Sequence, residues 1–361
     1  MVKIGCRNYV INLVSIPNSM PQEIFKHPYP FTLESGQTLP EIQVTYHTYG
    51  KLNPEKDNVI WVCHALTANS DVLDWWKGLF GDGNLFNPEE HFIICANVLG
   101  SCYGTTGPLS LNPTTGQPYC QTFPNITIRD MAQAHDLLRR HLEIEQIHTL
   151  IGGSLGGQQA LEFAILKPQV IQNLIVVATN AFHSPWGIGF NEAQRLAIFA
   201  DETYRQNIPT GGRNGLKAAR AIALLSYRNY DTYSKTQFES DLSKTDNFRA
   251  SSYQNYQGEK LVNRFDAYAY VSLSRSMDSH NVGRHRSSVE AALAQVKAKT
   301  LVIGISSDLL FPVSEQRFMA SHIKNAEYQE IDSFYGHDGF LIETGQLTQL
   351  LEAFYGLSVA K

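Results

Sequence analysis

A glycine-flanked serine at the end of an apolar run constrains this chain more than any other feature. Residues 149–161 read TLIGGSLGGQQAL, a short apolar strand that turns at Ser154 and leaves at once as a helix. A serine at the tip of so tight a turn is pushed out of ordinary backbone space, so its near neighbours must be very small for the chains to pass. Gly152 and Gly156 meet that demand. Beyond the turn, Ala160, Leu161, Ala164 and Ile165 recur at helical spacing, and Pro168 ends the run. The pattern predicts a nucleophile elbow. A plain glycine-rich strand-to-helix turn, of the kind found in nucleotide-binding sheets, is the rival reading, and G-x-S-x-G alone does not exclude it.

A serine hydroxyl is a weak nucleophile until a base takes its proton and a third group orients that base. On sheets that carry such an elbow, the acid follows a late strand and the histidine lies in the last loop. Residues 299–305 (KTLVIGI) form a buried-strand pattern, and Asp308 stands in the loop directly after it. Next comes the short alternating run 328–332, and His337 follows just before a final helix. Asp308 is therefore the candidate acid and His337 the candidate base. Each alone is an ordinary loop carboxylate or surface histidine; together behind an elbow serine they occupy the two expected slots in the expected order.

An oxyanion needs two N–H donors: one from the residue after the nucleophile, Leu155, and one from the loop after an early strand. Residues 58–63 read as that strand and 64–70 as that loop, with Leu66 the candidate donor. His64 opens the loop and is expected to shape it through hydrogen bonds rather than to act as a second base. Cys102 is the one thiol in a loop that invites comparison as a nucleophile; with no acid or histidine identifiable beside it, packing is the expected role.

Strand patterns at 42–49, 58–63, 91–97, 147–152, 173–179, 300–305 and 327–331 alternate with helical ones, which predicts a doubly wound α/β sheet. One of those helices starts at a capping-box-like Thr127 to Asp130 and uses Met131, Ala134, Leu138 and Leu142. No strand pattern interrupts the interval between 179 and 300. Its helical and tyrosine-rich stretches predict a helical lid at 183–290, inserted into a core domain of residues 1–182 and 291–361. A chain of 361 residues, 43% hydrophobic, can fill one large core plus such an insertion. No apolar run approaches the roughly 18 residues of a membrane span, and residues 1–8 lack a leader's apolar stretch. An odd number of cysteines, five, with two inside expected strands, suggests reduced thiols and a cytoplasmic location. A net charge of −5 argues against a nucleic-acid partner, and no His/Cys cluster has metal-ligand spacing.

Seven phrases together are more restrictive than the elbow: 46–53 (YHTYGKLN), 63–67 (CHALT), 104–108 (GTTGP) with Asn112-Pro113, 152–157 (GGSLGG), 264–267 (RFDA), 307–312 (SDLLFP) and 336–338 (GHD). They span nearly the whole chain, which resembles the homoserine O-acetyltransferases of the α/β-hydrolase type. The resemblance implies a ping-pong transfer from acetyl-CoA, a co-substrate rather than a bound cofactor, to the hydroxyl of L-homoserine on the way to methionine. It implies a homodimer joined through the lid helices. It puts the catalytic roles on Ser154, Asp308 and His337, and binding of homoserine on Arg220, Tyr227 and Asp338. Arg220 and Tyr227 lie seven residues apart, two helical turns, and so share a face.

That pairing suits a zwitterion. Arg220 can grip a carboxylate with two parallel hydrogen bonds, and Asp338, beside the base, can take an ammonium and turn the hydroxyl towards His337. A lid over the serine would also keep water from the acyl-enzyme. The chain departs from the family pattern at Ala68, where glycine is common, at Leu155, at Gln158, where methionine is usual, and through residues 281–287 (NVGRHRS). Acetyl or succinyl donor, homoserine or serine acceptor, and plain hydrolysis by the same triad all stay open at this level.

Overall fold

The structure, a computed structural model, describes residues 22–357. The reading of residues 1–8 as free of a leader, and Cys6, fall outside them.

Eight strands form one sheet: β1 Glu23–His27, β2 Ile42–Tyr49, β3 Val59–Cys63, β4 Phe92–Ala96, β5 Ile147–Gly153, β6 Ile171–Val177, β7 Lys299–Ile305 and β8 Ala326–Ile331. Their spatial order is β1-β2-β4-β3-β5-β6-β7-β8. From β4 to β8 every neighbour is parallel, while β1 and β2 add antiparallel pairs at one edge. All seven strands expected from sequence form. β1 escaped the reading because an edge strand buries only one of its five residues, too little to leave an apolar pattern.

The central strands are buried on both faces, which is why they read as unbroken apolar runs. Along β3, Val59, Trp61 and Cys63 join one core, and Ile60 and Val62 join the other. Helix α1 (Ile128–His141) covers the first face together with α2 (Leu155–Leu166). Thr127 and Asp130 form a reciprocal capping box that fixes the start of α1.

Between Phe182 and Asn281 the chain makes five α-helices: α3 Pro185–Phe199, α4 Arg213–Tyr227, α5 Tyr230–Thr236, α6 Arg249–Val262 and α7 Ala267–Asp278. Polar caps set several of their starts: Ser184 accepts from Gly187 N–H, Asn229 from Thr232 N–H and Asp266 from Ala269 N–H. At the base of this insertion the outgoing and returning chains pair antiparallel at Phe182 and Asn281. His183 N–H donates to His280 O and Val282 N–H to Ala181 O, both at 2.9 Å. No helix among the described residues is long and apolar enough to cross a membrane.

Candidate active site

Ser154 sits between β5 and α2 with φ 56° and ψ −126°, a conformation that costs a side-chain-bearing residue about 1–3 kcal/mol. The backbone crowds both flanking glycines. A Cβ on Gly156 would lie 2.0 Å from Cys63 O, and one on Gly152 would lie 2.3 Å from Gly156 O. Thr179 Oγ donates to Ser154 O at 2.8 Å, and Gln159 Nε2 donates to both His64 O and Leu155 O at 3.1 Å. These contacts tie the elbow to the neighbouring strands and hold the strained turn in place.

Ser154 Oγ is 2.9 Å from His337 Nε2, and His337 Nδ1 is 2.7 Å from Asp308 Oδ2. A carboxylate can only accept, so Nδ1 carries the proton and Nε2 is left to accept from the serine hydroxyl. The other Asp308 oxygen takes the N–H groups of Leu310 and Phe311 at 2.8 and 2.9 Å. All three residues are buried. The His337 ring stacks on Phe311 at 5.0 Å and meets Phe340 at 5.6 Å, so it is fixed on both sides. Burial opposes the charged imidazolium, but the charge and hydrogen bond of Asp308, with the charge of Asp338, outweigh it and hold His337 above its ordinary pKa.

The N–H groups of Leu66 and Leu155 have no acceptor among the described residues. Leu155 opens α2, where such a donor is free by position, and the helix dipole adds to its pull on an anion. His64 makes two backbone contacts: Nδ1 donates to Ala65 O at 2.8 Å and Nε2 accepts from Val98 N–H at 3.0 Å. Complete burial pushes its pKa down to about 4, so it is neutral and shapes the loop. Burial pushes the Cys102 thiol well above its usual range, which leaves it little thiolate character.

A cavity of about 400 Å³ ends on Ser154 and His337, and Leu66, Arg220, Tyr227 and Asp338 line it. The insertion supplies two of those residues. Tyr227 is the last residue of α4, and its ring centre lies 5.8 Å from that of His337. The Arg220 guanidinium lies 5.5 Å from the Tyr227 ring centre, as two residues on one helical face should. A cavity of about 540 Å³ at the base of the insertion, lined by Phe182, His183 and His280, holds none of the triad.

Residues 58–344 match the family described as alpha/beta hydrolase fold. The homoserine O-acetyltransferase of Cyclobacterium marinum is 51% identical over 336 residues, covering 93% of this chain and 95% of its own length. That of Nostoc punctiforme is 43% identical, covering 90% and 93%. The chain belongs to the homoserine O-acetyltransferase family of α/β hydrolases. A crystal structure of the Bacillus anthracis member superposes with a TM-score of 0.86 at 26% identity, covering 94% of this chain and 99% of the other.

Three features of this family member were not legible in sequence. Arg228, one residue beyond Tyr227, brings its Nε within 2.8 Å of Asp338 Oδ2, without the N–H pointing at the carboxylate. Asp338 thus meets a cation of the protein itself. Gln159, His135 and Thr179 form the support behind the elbow, with His135 Nε2 donating to Gln159 Oε1 at 3.0 Å. Gln158 is fully buried and donates to Asn180 Oδ1 at 2.9 Å, so a polar contact is built into the first turn of α2. Each depends on partners tens of residues away, and no local spacing announces them.

Proposed function

We propose that this chain transfers an acetyl group from acetyl-CoA to the hydroxyl of L-homoserine through an acetyl-Ser154 intermediate. One observation carries the reading: a hydrogen-bonded Ser154–His337–Asp308 array forms the end of a cavity whose wall also holds Arg220 and Asp338, charges of opposite sign. His337 Nε2 takes the serine proton as Oγ attacks the thioester carbonyl, and the free Leu66 and Leu155 N–H groups receive the oxyanion. The thiolate leaves with the proton from His337. Homoserine then enters with its carboxylate on Arg220 and its ammonium on Asp338, gives its hydroxyl proton to His337 and takes the acetyl group, and His337 returns that proton to Ser154 Oγ as the acyl bond breaks. No bound cofactor or metal is required for these steps.

The five-helix insertion, residues 183–290, acts in this reading as a lid that limits water at the ester. It also joins two copies, because Leu225, Phe238, Leu242 and Tyr256 leave apolar surface exposed on it. Free thiols, those of Cys63, Cys95 and Cys120 buried, fit a cytoplasmic enzyme.

Mass spectrometry after mixing with acetyl-CoA alone should find one acetyl group, on the peptide bearing Ser154. Adding homoserine should discharge it much faster than water does. An adduct on another residue would overturn the triad, discharge by water alone would make the protein a hydrolase, and preference for succinyl-CoA or serine would reassign donor or acceptor. Leu225→Asp with Tyr256→Asp should sediment as a monomer; a dimer would put the interface on the core.

A further inference from the structure

Once the acetyl group of a thioester reaches Ser154, the remainder of the donor must lie along the cavity towards solvent. Two cations stand there. Lys260, near the end of α6, and Arg264, just past it, line the same cavity as the buried Ser154 but are themselves exposed. The carboxylate next to Lys260 does not neutralise it, since Glu259 lies 3.4 Å from Lys217 and 3.6 Å from Arg213. Arg264 is held by Thr67 O and, at 2.7 Å, by the Tyr103 hydroxyl, and these two contacts use one of its terminal nitrogens. The rest of its N–H fork is left to a ligand. Trp75 lines the same cavity with an indole fixed by a 2.8 Å bond from Nε1 to Asn69 O and by stacking on Trp76 at 5.2 Å. Of the two acidic residues that line the cavity, Asp74 lies 3.6 Å from Lys77 and Asp338 2.8 Å from Arg228.

We propose that Lys260 and Arg264 form a phosphate-recognition rim for the donor, with Trp75 as the apolar wall against which its arm lies. A chain of net charge −5 has no general excess of cations, so two of them at the mouth of one cavity mark a local preference for an anion. Arg264 binds the backbone of the loop that carries Leu66, so the rim and the oxyanion donor share one support. The ligand class is a thioester whose far end bears phosphates. The inference rests on the donor half of the proposed function.

Lys260 is the clean probe, because it lies on an exposed helix face and touches neither the triad nor the oxyanion loop. Acylation by acetyl-CoA should be compared with acylation by S-acetyl-N-acetylcysteamine, a thioester without phosphates. In Lys260→Ala the KM for acetyl-CoA should rise about tenfold, the loss of one charge-assisted phosphate contact, with kcat unchanged. KM for the phosphate-free donor should stay at the wild-type value, and Lys260→Arg should restore the acetyl-CoA value. A rise of equal size for both donors, or no rise for either, overturns the rim. Failure of the wild type itself to acylate from acetyl-CoA while accepting the small thioester would instead overturn the donor assignment.

Discussion

At the catalytic end of the cavity every polar side-chain atom of the triad has a partner. Asp308 uses both oxygens, His337 both ring nitrogens, and the Ser154 hydroxyl its proton. The wall that holds Arg220 and Asp338 is built the other way: Arg220 faces an aromatic ring and has no ion pair among the described residues, and Asp338 meets Arg228 at an imperfect angle. The first region is made from loops at the ends of core strands, locked by burial and short hydrogen bonds. The second joins α4 to the histidine loop. Complete hydrogen bonding before the substrate arrives preorganises the chemistry, whereas in the proposed reaction the charges on the other wall are matched only once homoserine binds.

Substitutions should separate the two regions. Ser154→Ala should abolish both half-reactions, with kcat falling by about four to six orders of magnitude. A residual rate within a hundredfold of wild type in a stopped-flow assay would move the nucleophile elsewhere.

Arg220→Ala and Asp338→Asn should spare the first half-reaction and damage the second. Leaving one charge of a buried pair unmatched costs on the order of 2–5 kcal/mol, which is about 30- to several-thousand-fold in kcat/KM for homoserine. Asp338→Asn leaves Arg228 unpaired as well, so its loss should be the larger. The burst of acetyl-Ser154 should persist in both variants. A variant that acylates and transfers normally would show its residue to be a bystander and erase the distinction.

A smaller effect comes from pH. His337 must be neutral to take the serine proton, and its pKa is held above the ordinary 6.5. The acylation rate should therefore fall about tenfold per pH unit on the acidic side, with a midpoint above 6.5. A midpoint well below that value would mean the Asp308 carboxylate does not dominate the ring.

The smallest effect lies at Glu315, beside Asn180. Burial pushes the Glu315 carboxyl up to about 7 despite a 3.0 Å bond from Asn180 Nδ2. Folding thus favours its protonated form, a contribution present in full below the ordinary 4.5 and lost as pH rises through 7. Glu315→Gln should melt a few degrees above wild type near pH 8, with the difference closing as pH falls towards 5. Equal melting temperatures at both pH values would show a hydrated carboxylate.

Much of this was present in the amino-acid order. Strands buried on both faces are largely apolar, so β3 to β7 could be read directly, and steric crowding at the elbow leaves only glycine at 152 and 156. The triad was readable because topology fixes where its members fall along the chain. The tertiary structure decided what stands opposite what. Arg228 and Asp338 are 110 positions apart, and the periodicity of α4 shows which of its faces is apolar but not which loop that face meets. The same holds for the bond from Arg264 to Thr67 O and for Gln159 behind the elbow. Backbone sterics and hydrophobic period act over a few residues and so are written locally, while charge pairing acts between surfaces that only packing brings together.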